Sequence, residues 1–369
     1  MCPSPSVSRV GALLTALAVT GCAVPRAAAP APSATGAVRR PSADAAVRPP
    51  AATTFGGADV RWPLVARTTA APPALGAELT VGTVRLAGGG ALPAGLTLPR
   101  LGGTDAAPTV LTPCARTVTL LGRGFTPIPA AAPGQSYVVI DPGHGGSEDG
   151  TVAADGTREA DRVLAIALLL RADLVGHVTR VLMTRRTDQD TSLAFRVALA
   201  DAVRASLAVS VHLNSHPDGP STHPGTETFG SVADPAGRRA AGVLYEAERR
   251  YLDTLTPAVH GRWVANRDAG ALYRLGQHGD YYFVLRASHV PWVISESLYL
   301  SDPREEVLLA EPSVRAGLAA AMGSGIREFL FGRDPGSGWR VPIARPADPP
   351  PPPGQDTCVD PTVATGSSP

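Results

Sequence analysis

Between Tyr137 and Leu330 the chain alternates short β-branched and aliphatic runs with longer stretches of helical periodicity, and no other feature limits its fold so tightly. Tyr137–Asp141, Arg180–Thr184 and Leu207–Leu213 read as strands, and Thr226–Phe229, Tyr281–Leu285 and Trp292–Tyr299 continue the series. Helices are expected over Arg158–Val175, Leu193–Arg204, Ala236–Leu255 and Pro303–Leu330. The first of these is apolar on most sides (Val163, Leu164, Ala167, Leu168, Leu170, Leu174), as suits a helix laid against a sheet. Strands alternating with helices predict an α/β domain over 136–333, with a mostly parallel twisted sheet flanked by helices.

The flanks are of another character. Gly and Pro number 39 and 37, more than one compact fold uses, and they are unevenly placed, with most of the prolines outside the alternating region. Arg9 precedes an apolar run, Val10–Val19, too short to span a bilayer, and the run ends in Val19-Thr20-Gly21-Cys22. That ending resembles a bacterial lipobox, so residues 1–22 read as a signal peptide with Cys22 as a candidate lipidation site; simple secretion with cleavage near Ala27–Ala29 is the alternative. Residues 23–75 form an Ala/Pro-rich linker, expected to be disordered. Residues 76–130 carry short strand-like pieces, Glu78–Leu86 and Thr117–Leu121, between Gly/Pro turns, and suggest a small β-rich segment. Residues 334–369 are a disordered Pro-rich tail running through Pro349–Pro353. In an exported protein Cys114 and Cys358 make an even pair and are expected to bridge, with two unrelated thiols as the alternative. A net charge of +1 excludes an electrostatic nucleic-acid binder.

In a sheet of this kind ligands bind beyond the carboxyl ends of the strands. His144 follows the first strand in Asp141-Pro-Gly-His-Gly-Gly146, and His212 lies near the end of the third in Ser210-Val-His-Leu-Asn214. Glu296 lies near the end of the last strand, and Glu159 opens the helix that returns from the same edge. Two His and one carboxylate make a catalytic zinc set with a position left for water, and a further carboxylate beside that water serves as general base. Each residue also has an ordinary account. A His in a Gly-rich turn caps backbone, Glu159 complements a helix dipole, and His212 suits a satisfied core position. Glu296 is the hardest to explain so, because an acid in a strand headed for burial is costly without a partner.

These motifs, in order, resemble the zinc-dependent N-acetylmuramoyl-L-alanine amidases, a family of cell-wall hydrolases. The resemblance rests on Asp141–Gly146, Gly156–Asp161, Val181–Arg185 with Asp188, Leu193 and Arg196, Ser210–Asn214, Gly225–Phe229 and Pro291–Pro303. It departs at Leu213, where the family has Ala, and at Ser297-Leu298-Tyr299, where it has a glycine-containing sequence. The resemblance implies an enzyme that binds Zn2+ through His144, Glu159 and His212 and uses Glu296 as the catalytic residue. It implies hydrolysis of the amide between N-acetylmuramic acid and L-alanine in peptidoglycan. The protein is then expected in the cell envelope, lipid-anchored through Cys22 or secreted, as a monomer acting on muropeptides. Asp141 is placed to orient the His144 ring. A zinc peptidase acting within the stem peptide, or a non-catalytic peptidoglycan-binding lipoprotein, are the alternatives. His216, His223 and Arg286 rank lower, and Asp302-Pro-Arg-Glu305 reads as a capping box.

Overall fold

The computed structural model describes residues 74–216, 225–255, 270–276, 279–339 and 358–363. The signal segment, Cys22, nearly all of the linker, most of the tail, and His223 lie outside these residues.

The central sheet has the order β12-β11-β15-β10-β8-β9, built from β8 (Tyr137–Pro142), β9 (Arg180–Met183), β10 (Leu207–Asn214), β11 (Glu227–Gly230), β12 (Gly270–Leu272) and β15 (Trp292–Tyr299). β10 lies between β8 and β15 and is parallel to both. Such a strand is covered on both faces, which is why β8 and β10 read as nearly continuous apolar runs. Alternation still sorts their side chains. Val138, Ile140, Val209, Val211 and Val293 join a core with helix α1 (Glu159–Leu174), helix α3 (Pro235–Leu252) and helix α6 (Pro312–Phe331). Tyr137, Val139, Ala208, Trp292 and Ile294 face the opposite core, under helix α2 (Leu193–Ala202) and helix α4 (Phe283–Ala287). Helix α5 (Pro303–Ala310) follows β15, and β13 (Leu275–Gly276) pairs with β14 (Gly279–Asp280) as a small ribbon.

A second sheet precedes this layer. Its strands are β1 (Ala77–Thr80), β2 (Val84–Leu86), β3 (Ala91–Leu92), β4 (Thr97–Thr104), β5 (Ala107–Leu111), β6 (Thr117–Leu121) and β7 (Phe125–Ile128), in the order β3-β2-β6-β5-β4-β1-β7. Every pairing in it is antiparallel. Its apolar side, with Val84, Leu92, Leu98, Val110 and Leu120, closes over Phe195 of α2. Main-chain bonds join the two layers: Gly76 N–H donates to Ala202 O at 2.8 Å, Ala131 N–H to Val203 O at 2.9 Å, and Ser192 N–H to Pro113 O at 2.8 Å. Cys114 and Cys358 form a disulfide that fastens residues 358–363 to the β5–β6 turn.

The expectation of a mostly parallel sheet describes the central layer only. There β11 runs antiparallel to β15, and the second sheet is antiparallel throughout. Two further expectations are corrected. Tyr281–Leu285 is not a strand: the chain turns at Asp280 and enters α4, closed by Arg286 Nη1 donating to Asp280 O and Tyr281 O at 2.6 and 3.0 Å. The continuous helix expected over Pro303–Leu330 is two helices. Glu311 precedes Pro312 and is extended (φ −74°, ψ 122°), because a proline's ring disfavours the helical conformation of the residue before it.

Candidate metal centre

β8 ends in Pro142, and the chain then passes over the sheet edge through Gly143, His144, Gly145 and Gly146. A methyl group at Gly143 would collide with the His212 ring, so the bare backbone is what lets two imidazoles approach. His144 itself has φ +57°, an uncommon conformation for a residue with a side chain, and it is held there from outside. Arg185 donates through Nη2 to Gly143 O at 2.6 Å and through Nε to Pro142 O at 3.1 Å. Arg196 donates through Nη2 to His144 O at 2.9 Å and through Nη1 to Pro142 O at 2.7 Å. Two buried guanidiniums thus fix the carbonyls around the imidazole.

Asp141 does not orient the His144 ring. Its carboxylate accepts from Thr184 Oγ1 at 2.6 Å, from Ser210 Oγ at 2.7 Å and from Arg196 Nη1 at 2.7 Å. It therefore anchors Arg196 and ties three elements beneath the site. The group on the ring's Nδ1 is Glu148, whose Oε1 lies 3.1 Å away.

Glu159 is the first residue of α1 and is buried. Its Oε1 lies 3.1 Å from His144 Nε2 and 3.1 Å from His212 Nδ1. Backbone N–H groups hold the same carboxylate, Leu213 at 3.0 Å on Oε1 and Thr151 at 3.0 Å on Oε2. The two rings meet edge to face at 4.8 Å between centroids. Donor atoms of His144, Glu159 and His212 all lie within 4.8 Å of one another. Burial opposes charge on His144, but its bonds to Glu148 and Glu159 outweigh that and raise its pKa to about 9. Burial likewise opposes charge on Glu159, yet His144 and His212 hold its carboxyl far below the ordinary carboxylate range. Two ring nitrogens about one carboxylate oxygen form a donor set able to hold a metal ion.

Glu296 pairs in register with His212 across β15 and β10. With Ile294 it faces a cavity of about 150 Å3, also lined by His144, His212, Glu148, Leu193 and Tyr282. The alternate residue Ser295 points away, donating to Glu248 of α3 at 2.6 Å. Tyr282 completes the wall, packed on Phe229 at 5.0 Å between centroids. Burial raises its pKa, as do the neighbouring Glu296 and Glu227 carboxylates, so the phenol keeps its proton.

Three of the four residues singled out from the sequence, His144, His212 and Glu296, line this cavity, and the fourth, Glu159, is buried against both histidines. Glu148 and Tyr282 were not singled out: their approach depends on a loop and a helical turn that carry no periodic signal. Arg286 is spent on main-chain carbonyls. Glu305 makes no capping box; it accepts from Tyr299 N–H at 2.6 Å and Gly225 N–H at 2.9 Å, while Asp302 alone caps α5. His216 is placed by its own N–H on Ser301 Oγ at 3.0 Å, away from the donor cluster.

Among curated proteins, the N-acetylmuramoyl-L-alanine amidase AmiC of Neisseria meningitidis is 28% identical over 236 residues, covering 57% of this chain and 57% of that protein. AmiA of Escherichia coli K12, an amidase of the same description, is 28% identical over 227 residues, covering 53% of this chain and 77% of that one. Among solved structures, the amidase AmiC2 of Nostoc punctiforme is 30% identical with a TM-score of 0.46, over 54% of this chain and 99% of that one. The chain thus spans little more than half the length of the Neisseria relative. A family profile described as N-acetylmuramoyl-L-alanine amidase matches residues 138–328, more than half of the chain, and the protein belongs to that family.

Proposed function

We propose that this protein hydrolyses the amide joining the lactyl group of N-acetylmuramic acid to L-alanine in peptidoglycan, with zinc held by His144, Glu159 and His212 and with Glu296 as the catalytic base. The observation that carries the reading is the His144–Glu159–His212 donor cluster, whose two histidines line one cavity with Glu296, in the register His212 opposite Glu296. Two imidazole nitrogens and one carboxylate oxygen suit zinc and leave a coordination position open. When bound, zinc lowers the pKa of a water towards about 7 and polarises the carbonyl under attack.

The chain's own residues supply the rest. Glu296 accepts the proton of the attacking water and returns it to the leaving amine. Leu193, Val284 and Ile294 line the cavity beside Glu296 and limit water around the reacting atoms. Arg185 and Arg196 keep the His144 loop in one arrangement, so the donors need not reorganise as substrate binds.

The proposal extends to location. The disulfide supports an oxidising compartment, and the apolar run before Cys22 supports export with a lipid on Cys22. No helix among the described residues is long and apolar enough to cross a membrane. Residues 76–130 and 136–333 are read as a β-rich segment and the catalytic domain.

The test is zinc content measured together with release of stem peptide from a defined muropeptide, with and without chelator. One equivalent of zinc and chelator-sensitive cleavage at the lactyl–alanine bond is expected. Glu296→Gln should keep the metal and lose cleavage by at least about 100-fold. Loss of zinc from that variant would make Glu296 a ligand, and cleavage within the stem peptide would make the protein a peptidase.

A further inference from the structure

The loop that carries His144 is gripped by two aspartates from the segment after β9. Asp188 accepts from Gly146 N–H at 2.8 Å and from Arg158 Nη2, beside Glu159, at 2.8 Å. Asp190 accepts from both Ser147 N–H and Ser147 Oγ on its Oδ1, at 2.8 and 2.7 Å. Gly146 (φ +63°) packs so closely there that a methyl group would collide with Asp190. Ser147 adjoins Glu148, whose carboxylate is bonded to the His144 ring.

The other oxygen of Asp190 is taken by a residue far along the chain: Val359 N–H donates to Oδ2 at 3.0 Å. Val359 belongs to the short segment fastened by the disulfide. Asp360 in that segment accepts from Thr112 Oγ1 at 2.8 Å and from Cys114 N–H at 2.8 Å, and Val363 N–H donates to Ala91 O at 3.1 Å. A continuous path thus runs from the bridge through Val359, Asp190 and Ser147 to the pair Glu148–His144.

We propose that Asp190 is a positioning residue for the metal-binding loop, and that the Cys114–Cys358 bridge governs its grip by holding Cys358–Val363 as a strap. With the strap seated, donors on both oxygens set the carboxylate's plane, and Ser147 meets a fixed acceptor. With the bridge open, the only covalent tether left to the strap is the chain after Trp339, and its effective concentration at Asp190 falls. Both cysteines are half-buried. A dithiol opens the bridge as follows: one thiolate attacks a bridge sulfur to give a mixed disulfide, and its second thiolate displaces the protein sulfur. The reductant leaves as its own disulfide, and Cys114 and Cys358 are left as two thiols.

The inference rests on the metal-site reading, so its readout is zinc affinity of the full chain, titrated against a chromogenic chelator. Oxidised wild type is compared with Cys114→Ser/Cys358→Ser, which opens the bridge without adding a reductant that binds metal. It is also compared with Asp190→Asn, which keeps an acceptor for Ser147 but sets an amide N–H against Val359 N–H. Both variants should bind one zinc about tenfold more weakly, with unchanged far-UV circular dichroism. If the double variant does not fold, Asp190→Asn and Val359→Pro, both with the bridge intact, carry the test. Wild-type affinity in variants that only melt earlier would reduce the bridge to a structural clasp and overturn the proposal. Weak binding in the double variant alone would remove Asp190 from the path and overturn it too. Absence of zinc from oxidised wild type would instead sink the metal-site reading. Muropeptide cleavage is not the readout, so failure of the proposed reaction leaves these titrations decisive.

Discussion

Glu248 takes no part in the proposed chemistry, yet it lies fully buried behind the strand that carries Glu296. It accepts from Ser295 Oγ at 2.6 Å and from Thr226 Oγ1 at 3.2 Å. Burial raises its pKa to about 7, against the partial opposition of those hydroxyls, which favour the anion. The folded pKa therefore lies above the unfolded value near 4.5. Its contribution to stability is complete below about pH 4.5 and is lost as pH rises through about 7, because only the folded state holds the proton in that window. The loss is on the order of 3 kcal/mol. Urea unfolding at pH 5 and pH 8 should show wild type losing more stability over the interval than Glu248→Gln; equal losses would mean that Glu248 is ionised throughout. The contrast with Glu296 shows what a sequence can reveal at this scale. Glu248 sits among charged residues of a helix, whereas Glu296 interrupts an apolar strand near the sheet's binding edge, and only it could be singled out. His144, Glu159 and His212 were legible for the same reason, as residues at strand ends or at the start of a returning helix. Asp141 was placed correctly on its strand but given the wrong neighbour, since nothing in its spacing reveals that Thr184, Ser210 and Arg196 converge on it.

Elements were legible where periodicity ran long enough to count. β8, β10 and β15 are apolar runs bounded by polar or glycine-rich turns, and α1 repeats its aliphatic residues over four turns. β12 is three residues long and α4 five, too short for a period to emerge, and the aromatic residues before α4 imitate a strand. Pro312 was visible, but at a helix start and inside a helix a proline looks alike in sequence; the extended conformation of Glu311 decides the matter. α2 shows how one element can serve two layers. Val197, Leu199 and Ala200 face the core of the central sheet, while Phe195 is buried in the core of the antiparallel sheet. Phe195→Ala should cost about 3–5 kcal/mol, because it leaves a cavity in the core of the antiparallel sheet. Urea unfolding checks this, and a loss below about 1 kcal/mol would show the contact to be superficial.

At the scale of the molecule, the antiparallel sheet is a wall of the α/β domain's own core. Ala77 and Ile128 belong to the same cluster as Tyr137, Val139, Leu199 and Trp292, and Phe195 is sealed by strands that precede the domain in sequence. The α/β pattern starts at Tyr137, so sequence reading divides the chain between residues 130 and 136, where no helix or strand crosses. Packing does not respect that division, because main-chain bonds from Gly76 and Ala131 end on Ala202, the last residue of α2, and on Val203 just after it. A chain beginning at Ser136 would expose Phe195 and the outer face of α2, and would leave Ala202 O and Val203 O without these donors. Apolar surface uncovered in this way lowers stability by roughly 25 cal/mol for each Å2 and favours association. The shortened chain is therefore expected to bind an apolar dye, to melt well below the longer chain, and to elute partly as oligomers in size-exclusion chromatography. A monomer of unchanged melting temperature would show instead that the α/β layer folds alone and that the antiparallel sheet serves another purpose. The comparison also separates two roles of the sheet. If zinc affinity falls in the shortened chain more than in the double-serine variant, α2 and the loop it holds through Arg196 depend on the sheet directly, beyond the strap's hold on Asp190.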